Sequence, residues 1–213
     1  MKKNNYSLML SEAVVNAIDA AAARAGTNRS ALINQILAEY VCYVTPEMRA
    51  REILSRVHDA LGIAFRRESA GESALALYSS LSYRYNPTVK YHLELYRAGD
   101  SLGELRVSLR SKNPVLLQLF ARFCTLFIKI EQRYVGHTDA ALGEGRLVRI
   151  LRLRTDANRP MTHDSVGEAA ASYIATFDKM LKGYFACLPD EGRAYEVMTA
   201  GFLAYLGNAG HIL

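Results

Sequence analysis

Cysteine is scarce in this chain: Cys42, Cys124 and Cys187 stand far apart with no CxxC spacing. Neither a disulfide framework nor a zinc knuckle is therefore expected, and the default is reduced thiols in a cytoplasmic protein. Long apolar runs are lacking as well. The longest, Val115 to Ile130, is broken by Arg122 and Lys129 and falls short of the roughly 18 residues that a spanning helix requires. The opening MKKNNYS leads into no apolar h-region, so neither export nor a membrane partner is expected. Signatures of common enzymatic chemistry are missing too. There is no GxSxG, no Walker loop, no HExxH and no GxGxxG between a strand and a helix, and Gly143-Glu144-Gly145 lacks the context of a phosphate loop. The five histidines, His58, His92, His137, His163 and His211, form no HxH, HxxH or Cys-near-His pair. No enzyme, no metal and no cofactor is expected.

What is present is a chain of 213 residues, half of them hydrophobic and 22% charged, which suits a small domain joined to a medium one. The net charge of +5 is unevenly placed: residues 1–44 carry +1, 45–112 carry +3, 113–160 carry +4 and 161–213 carry −3. A basic middle admits anionic partners, although packing against the acidic C-terminal part would explain the same asymmetry.

Residues 5–10, Asn-Tyr-Ser-Leu-Met-Leu, alternate, with Tyr6, Leu8 and Leu10 on one face and Asn5, Ser7 and Met9 on the other, which predicts a short strand. Ser11 then offers an N-cap oxygen, and Val14, Val15, Ile18, Ala21, Ala22 and Ala25 make a helical stripe that ends near Gly26. A second helix begins at Asn28 and presents Leu32, Ile33, Ile36, Leu37, Tyr40, Val41 and Val44. One strand and two short helices cannot bury enough surface alone, and the lone strand leaves an open edge. Two copies that pair their strands and interlock their helices remove both deficits, so a homodimer is expected, with association to a tetramer left open.

The strand Tyr6-Ser7-Leu8-Met9-Leu10, the helix opening Ser11-Glu12 and the turn Gly26-Thr27-Asn28-Arg29-Ser30-Ala31-Leu32-Ile33 resemble the ribbon-helix-helix family of DNA-binding proteins, the CopG/Arc/MetJ superfamily. The resemblance covers about a fifth of the chain. It implies that paired strands enter the major groove of double-stranded DNA, with Asn5, Ser7 and Met9 facing the base edges. Asn is suited to adenine N6 and N7 and Ser to donating or accepting, whereas Met9 departs from the polar residue expected and suits a thymine methyl or a packing role. The resemblance further implies that Lys3, Asn28, Arg29 and Ser30 hold the DNA backbone, the last three at a helix N-terminus whose free N–H groups favour phosphate. A capping Asn28 and a solvated Arg29 are the plain alternative, compatible with that role.

Beyond Val44, Thr45-Pro46-Glu47 starts a linking helix within residues 45–68, with Ala50, Ile53, Leu54, Val57, Leu61, Ala64 and Phe65 along one side, closed by a polar stretch from Arg66 to Ser73. Alternating segments follow at Leu75 to Tyr85, Val89 to Arg97 and Leu105 to Arg110, and Arg146 to Arg154 reads as a fourth strand after a Gly-rich loop from Gly136 to Gly145. A helix from Asn113 to about Tyr134 is apolar nearly all round, apart from a stripe of Gln118, Arg122, Thr125, Lys129 and Gln132. Two further helices, about Asp164 to Leu188 and Asp190 to Leu206, finish the chain. The expected fold class is thus α+β: a dimeric ribbon-helix-helix module over 1–44, then an α+β regulatory or oligomerisation domain over 45–213 with an antiparallel sheet of about four strands packed on helices. Arg146, Arg149, Arg152 and Arg154, with Arg106 and Arg110, form either a second nucleic-acid surface or anionic-ligand site, or a solvated or acid-paired sheet face, the reading favoured here; in the alternation Arg149 breaks the pattern.

The resemblance points to a sequence-specific transcriptional regulator, a repressor of prokaryotic, plasmid or phage origin, whose second domain oligomerises, senses an effector or contacts a protein. The alternative is a plasmid or phage accessory protein in copy control, partition or mobilisation. An antitoxin ranks lower, because residues 45–213 read as folded rather than as a short disordered tail.

Overall fold

The computed structural model describes residues 7–41, 43–97, 99–143, 145–153, 162–207 and 212, and the chain divides into two units, Met1–Met48 and Arg49–Leu213. Lys3, Asn5, Tyr6, Cys42, Glu144, Arg154 and His211, which figured in the sequence reading, lie outside the described residues.

The first unit is a helical hairpin, α1 (Glu12–Arg24) and α2 (Arg29–Tyr40). Gly26 turns the chain with φ +63, and the Thr27 N–H reaches the Ala22 carbonyl at 3.0 Å while the Gly26 N–H reaches that of Ala23 at 3.3 Å. These two bonds close the helix end in the glycine-dependent manner expected of a left-handed residue after the cap. Ser11 occupies the N-cap of α1 without a side-chain capping bond, contrary to expectation, whereas Asn28 caps α2 by accepting from the Ala31 N–H. Ala22 and Ala38 are the buried residues of the two helices; Leu32, Ile33, Val15 and Ile18 are only half withdrawn from solvent. Ser7 to Leu10 take part in no strand pairing, since a strand exists only against a partner and the described part of the unit offers none.

The second unit is α+β, with one antiparallel six-stranded sheet in the order β1-β2-β3-β4-β6-β5. Its elements are α3 (Pro46–Leu61, whose first residues belong to the preceding unit), β1 (Arg66–Ser69), β2 (Ala74–Ser80), β3 (Thr88–Leu95), β4 (Gly103–Arg110), α4 (Pro114–Val135), β5 (Ala140–Gly143), β6 (Arg146–Leu151), α5 (His163–Cys187) and α6 (Glu191–Gly207). The sheet has two strands more than the sequence predicts. β1 falls in the polar stretch after α3 and β5 in the Gly-rich loop; each is four residues long and sits at a sheet edge, where no alternation of apolar residues marks it. β2 ends at Ser80 rather than Tyr85, because the chain turns back between Leu81 and Pro87: the Tyr83 N–H donates to the Leu81 carbonyl, the Asn86 N–H to that of Tyr83, and Tyr85 and Asn86 take positive φ. α3 stops at Leu61, followed by a 3-10 turn over Gly62–Ala64.

Strand alternation builds the core. On β3 and β4 every second residue, Val89, Tyr91, Leu93, Leu95 and Leu105, Val107, Leu109, is buried against α3–α6. Gly103 starts β4 so close to β3 that a Cβ there would lie 2.1 Å from the Glu94 carbonyl oxygen. The apolar α4 is covered within the chain: Phe123 stacks edge-on against Phe177 at 5.2 Å, and Phe127 meets Phe177 at 4.7 Å and Phe202 at 6.2 Å. Asn113 accepts from the Val115 and Leu116 N–H groups to start α4, and its Gln118, Arg122, Thr125, Lys129 and Gln132 stripe faces solvent. Among the described residues no helix is long and apolar enough to cross a membrane.

Candidate nucleic-acid interface

Of the seven residues expected at DNA, Ser7, Met9, Asn28, Arg29 and Ser30 are among the described residues, all in the first unit. Ser7 and Met9 are exposed, Met9 completely at 103%. So are their neighbours Leu8 and Leu10, at 60% and 42%, which the alternation assigns to a core face. Val14, Ile36, Leu37, Tyr40 and Val41 are also exposed, so one copy leaves most of its apolar stripe uncovered. Transfer of such side chains out of water is worth roughly 1.5 to 3 kcal/mol each, which an isolated hairpin of this size forgoes.

At the start of α2, Asn28, Arg29 and Ser30 are all exposed. The Asn28 carboxamide oxygen takes the Ala31 N–H at 3.0 Å; helix geometry leaves the Arg29 and Ser30 N–H groups without an intrahelical acceptor. Arg29 is not a freely solvated side chain. Its Nε donates to Asp19 Oδ1 at 2.6 Å and its Nη2 to Asp19 Oδ2, a two-point pair from α2 to α1. Hydrogen bonding from Arg29, helped by its charge, holds the Asp19 carboxyl below its usual value, with burial pulling the other way. Sequence reading passed over Asp19, which lies about two helical turns before Gly26 and meets Arg29 only because the hairpin folds α2 back along α1.

In the second unit the arginines expected as one basic strand separate into distinct roles. Arg149 does not break the β6 alternation; it continues it inward with Leu147 and Leu151. Its guanidinium, 2% exposed, meets the Glu131 carboxylate of α4, 1% exposed, through Nε to Oε2 at 2.9 Å and Nη2 to Oε1 at 3.2 Å. The Tyr173 hydroxyl donates to Glu131 Oε1 at 2.7 Å, and Arg149 Nη1 donates to the Ile150 carbonyl. Burial opposes the Arg149 charge, but its interactions with Tyr173 and Glu131 prevail and raise its pKa above the ordinary value. A second network, open to solvent at Lys182, joins Asp178 to the Tyr91 hydroxyl at 2.8 Å and to Lys182 at 2.6 Å, and Lys182 in turn to Ser79 Oγ at 2.8 Å. Arg152 pairs with Asp139 at 2.5 Å, and Arg106 with Glu104 and, at 3.4 Å, with Glu94.

The outward face of the sheet carries the remaining cations. Register places Arg66 of β1, Tyr78 of β2, Lys90 of β3, Ser108 of β4 and Arg146 of β6 in one row across the sheet. Arg66, Lys90 and Arg110 surround the Tyr78 ring, at 4.7, 5.9 and 5.7 Å from its centroid. The Tyr78 hydroxyl donates to Glu68, which lowers that carboxyl's pKa, with burial opposing and Arg66, Lys90 and Arg110 assisting. Reading the sequence alone missed Arg66 and Lys90, because their convergence depends on strand register.

Among the described residues no three His, Cys, Asp or Glu side chains gather into a group able to hold a metal. A shallow cavity of about 410 Å³ opens beside Leu61, Phe65, Glu168, Ser172 and Asp178, but the Asp178 carboxylate is already taken by Tyr91 and Lys182. No protein-family model matches the chain, and comparison with curated proteins and with solved structures finds no match.

Proposed function

We propose that the chain is a sequence-specific DNA-binding transcriptional regulator acting as a cytoplasmic repressor, in which residues 1–44 of two copies form a ribbon-helix-helix module. The observation that carries this reading is the exposed run from Ser7 to Leu10 in front of a two-helix hairpin whose Val14, Ile36, Leu37, Tyr40 and Val41 also meet solvent. A second copy supplies both things such a unit is missing: a strand partner for the open backbone and apolar surface for the stripe. In the dimer, Asn5, Ser7 and Met9 face base edges, while Lys3 and the α2 starts at Asn28, Arg29 and Ser30 grip the phosphates on either side. The protein works by binding, and the second unit serves assembly, effector sensing or a protein contact.

Selection of bound sequences from a random duplex pool tests this directly. Enrichment of one palindromic site is the expected result. Enrichment of arrays of short repeats would instead favour an accessory role in plasmid or phage DNA maintenance, and no enrichment at all would overturn sequence-specific binding.

A further inference from the structure

The outward sheet face of the second unit is electrically lopsided. At one end, Arg106 answers both Glu94 and Glu104. At the other, Arg66, Lys90 and Arg110 crowd the Tyr78 ring and Arg146 lies further along the same row. Among the described residues none of these four cations has a carboxylate within salt-bridge distance, and the one acid in their midst, Glu68, is engaged by the Tyr78 hydroxyl. Arg66, Arg110 and Arg146 are exposed and Lys90 is half-buried. Register places each of the four opposite a neutral residue, Tyr78, Ser108 or Thr88, so the positive charge is spread over the face with a neutral side chain across from each cation.

We propose that this face binds the phosphate backbone of duplex DNA, as a second contact surface that reads no bases. Neighbouring strands lie about 4.8 Å apart, so the row from Arg66 to Arg146, four strand spacings, spans about 19 Å. A row of that length meets many phosphates of a duplex, which carries one charge per ~1.7 Å of axis, whereas a small anion would engage only one end. Guanidinium groups present paired donors suited to phosphate oxygens. Tyr78 is only 5% exposed beneath its cations and offers no platform for stacking an unpaired base, which favours duplex over single strand. The inference rests on the preceding reading only in taking DNA as the polyanion at hand.

The test uses the full chain and a duplex lacking any selected site. Replacing Arg66, Lys90, Arg110 and Arg146 together by glutamine is expected to make the log–log salt dependence of binding shallower by about 3 to 4 units per chain engaged. A companion with Arg66, Arg110 and Arg146 changed to lysine should keep the slope, so a lost slope in the glutamine variant with a native melt reports charge rather than unfolding. An unchanged slope overturns the proposal, as does equal binding of the glutamine variant and the parent to the duplex at low salt. So does full competition by inorganic phosphate at concentrations where ionic strength alone has no effect, which would indicate a small-anion site. The two readings fail separately: loss of the slope without any enriched site would leave this face standing and remove the sequence-reading module, while an enriched site with an unchanged slope would do the reverse.

Discussion

Arg149 on β6 and Glu131 on α4 share two parallel hydrogen bonds, at 2.9 and 3.2 Å, in a part of the core that water does not reach. Removing one member strands the other charge, so Arg149→Ala and Glu131→Ala should each cost about 3 to 5 kcal/mol in denaturant unfolding. Glu131→Leu, Arg149→Met and Tyr173→Phe made together take out the whole polar group, and the triple variant should recover most of that loss. Additive destabilisation in the triple variant would show that the network stabilises beyond its own desolvation.

The Arg29 and Asp19 pair makes a different prediction, since under the proposed function a DNA phosphate competes with the Asp19 carboxylate for Arg29. Asp19→Asn should strengthen binding to cognate and scrambled duplexes alike. Arg29→Ala should weaken both and flatten the salt dependence by roughly two units per dimer. Asn5→Ala, in contrast, should cost about 1 to 3 kcal/mol per site on the cognate sequence and little on the scrambled one. Titrations of the three variants at several salt concentrations check the set; Asn5→Ala weakening both duplexes equally would remove the strand from base reading.

The proposed dimerisation through the first unit predicts a melting temperature that rises with protein concentration for that transition. Leu8→Asp puts a charge where the second copy should pack and is expected to abolish the dimer in sedimentation. Gly26→Ala forces a side chain into φ +63 and should destabilise the unit by roughly 1 to 2 kcal/mol. A full-length chain that stays monomeric at every concentration would refute the paired module.

His92 gives a pH signature. Burial lowers its pKa from the ordinary 6.5, and Arg106 and Lys90 lower it further. The unfolded chain therefore takes up this proton before the folded one. The contribution is complete above pH 6.5 and is lost as pH falls from there through the folded pKa. His92→Gln should flatten stability against pH in that window, and an identical profile for the variant and the parent would contradict it.

Much of this architecture was legible in the residues themselves. Asn113-Pro114 marks the start of α4, alternation marks β3 and β4, and the solvent stripe on α4 reads straight from helical spacing. β1 and β5 were not legible, because an edge strand of four residues has little buried face to impose a pattern. Arg149 misled for a related reason: polarity normally signals an outward position, and the partner that permits burial, Glu131, lies 18 residues earlier on another element. Of the candidate interface, the Asn28 cap was visible locally. The Asp19 partner and the Arg66, Lys90 and Arg146 row required knowing which backbones lie side by side.

The strand order also predicts a sequence of events in folding. β1 to β4 join through short connections, each a local hairpin closure, but β6 reaches β4 only after α4 and β5 have been passed over. Bringing those ends together costs chain entropy before any contact repays it. That cost predicts that the Arg149 side chain enters the interior at the closing step, when β6 docks, with both it and Glu131 hydrated until then. The buried ion pair acts as a latch on the completed sheet rather than as a seed for it, so weakening it should speed unfolding far more than it slows refolding.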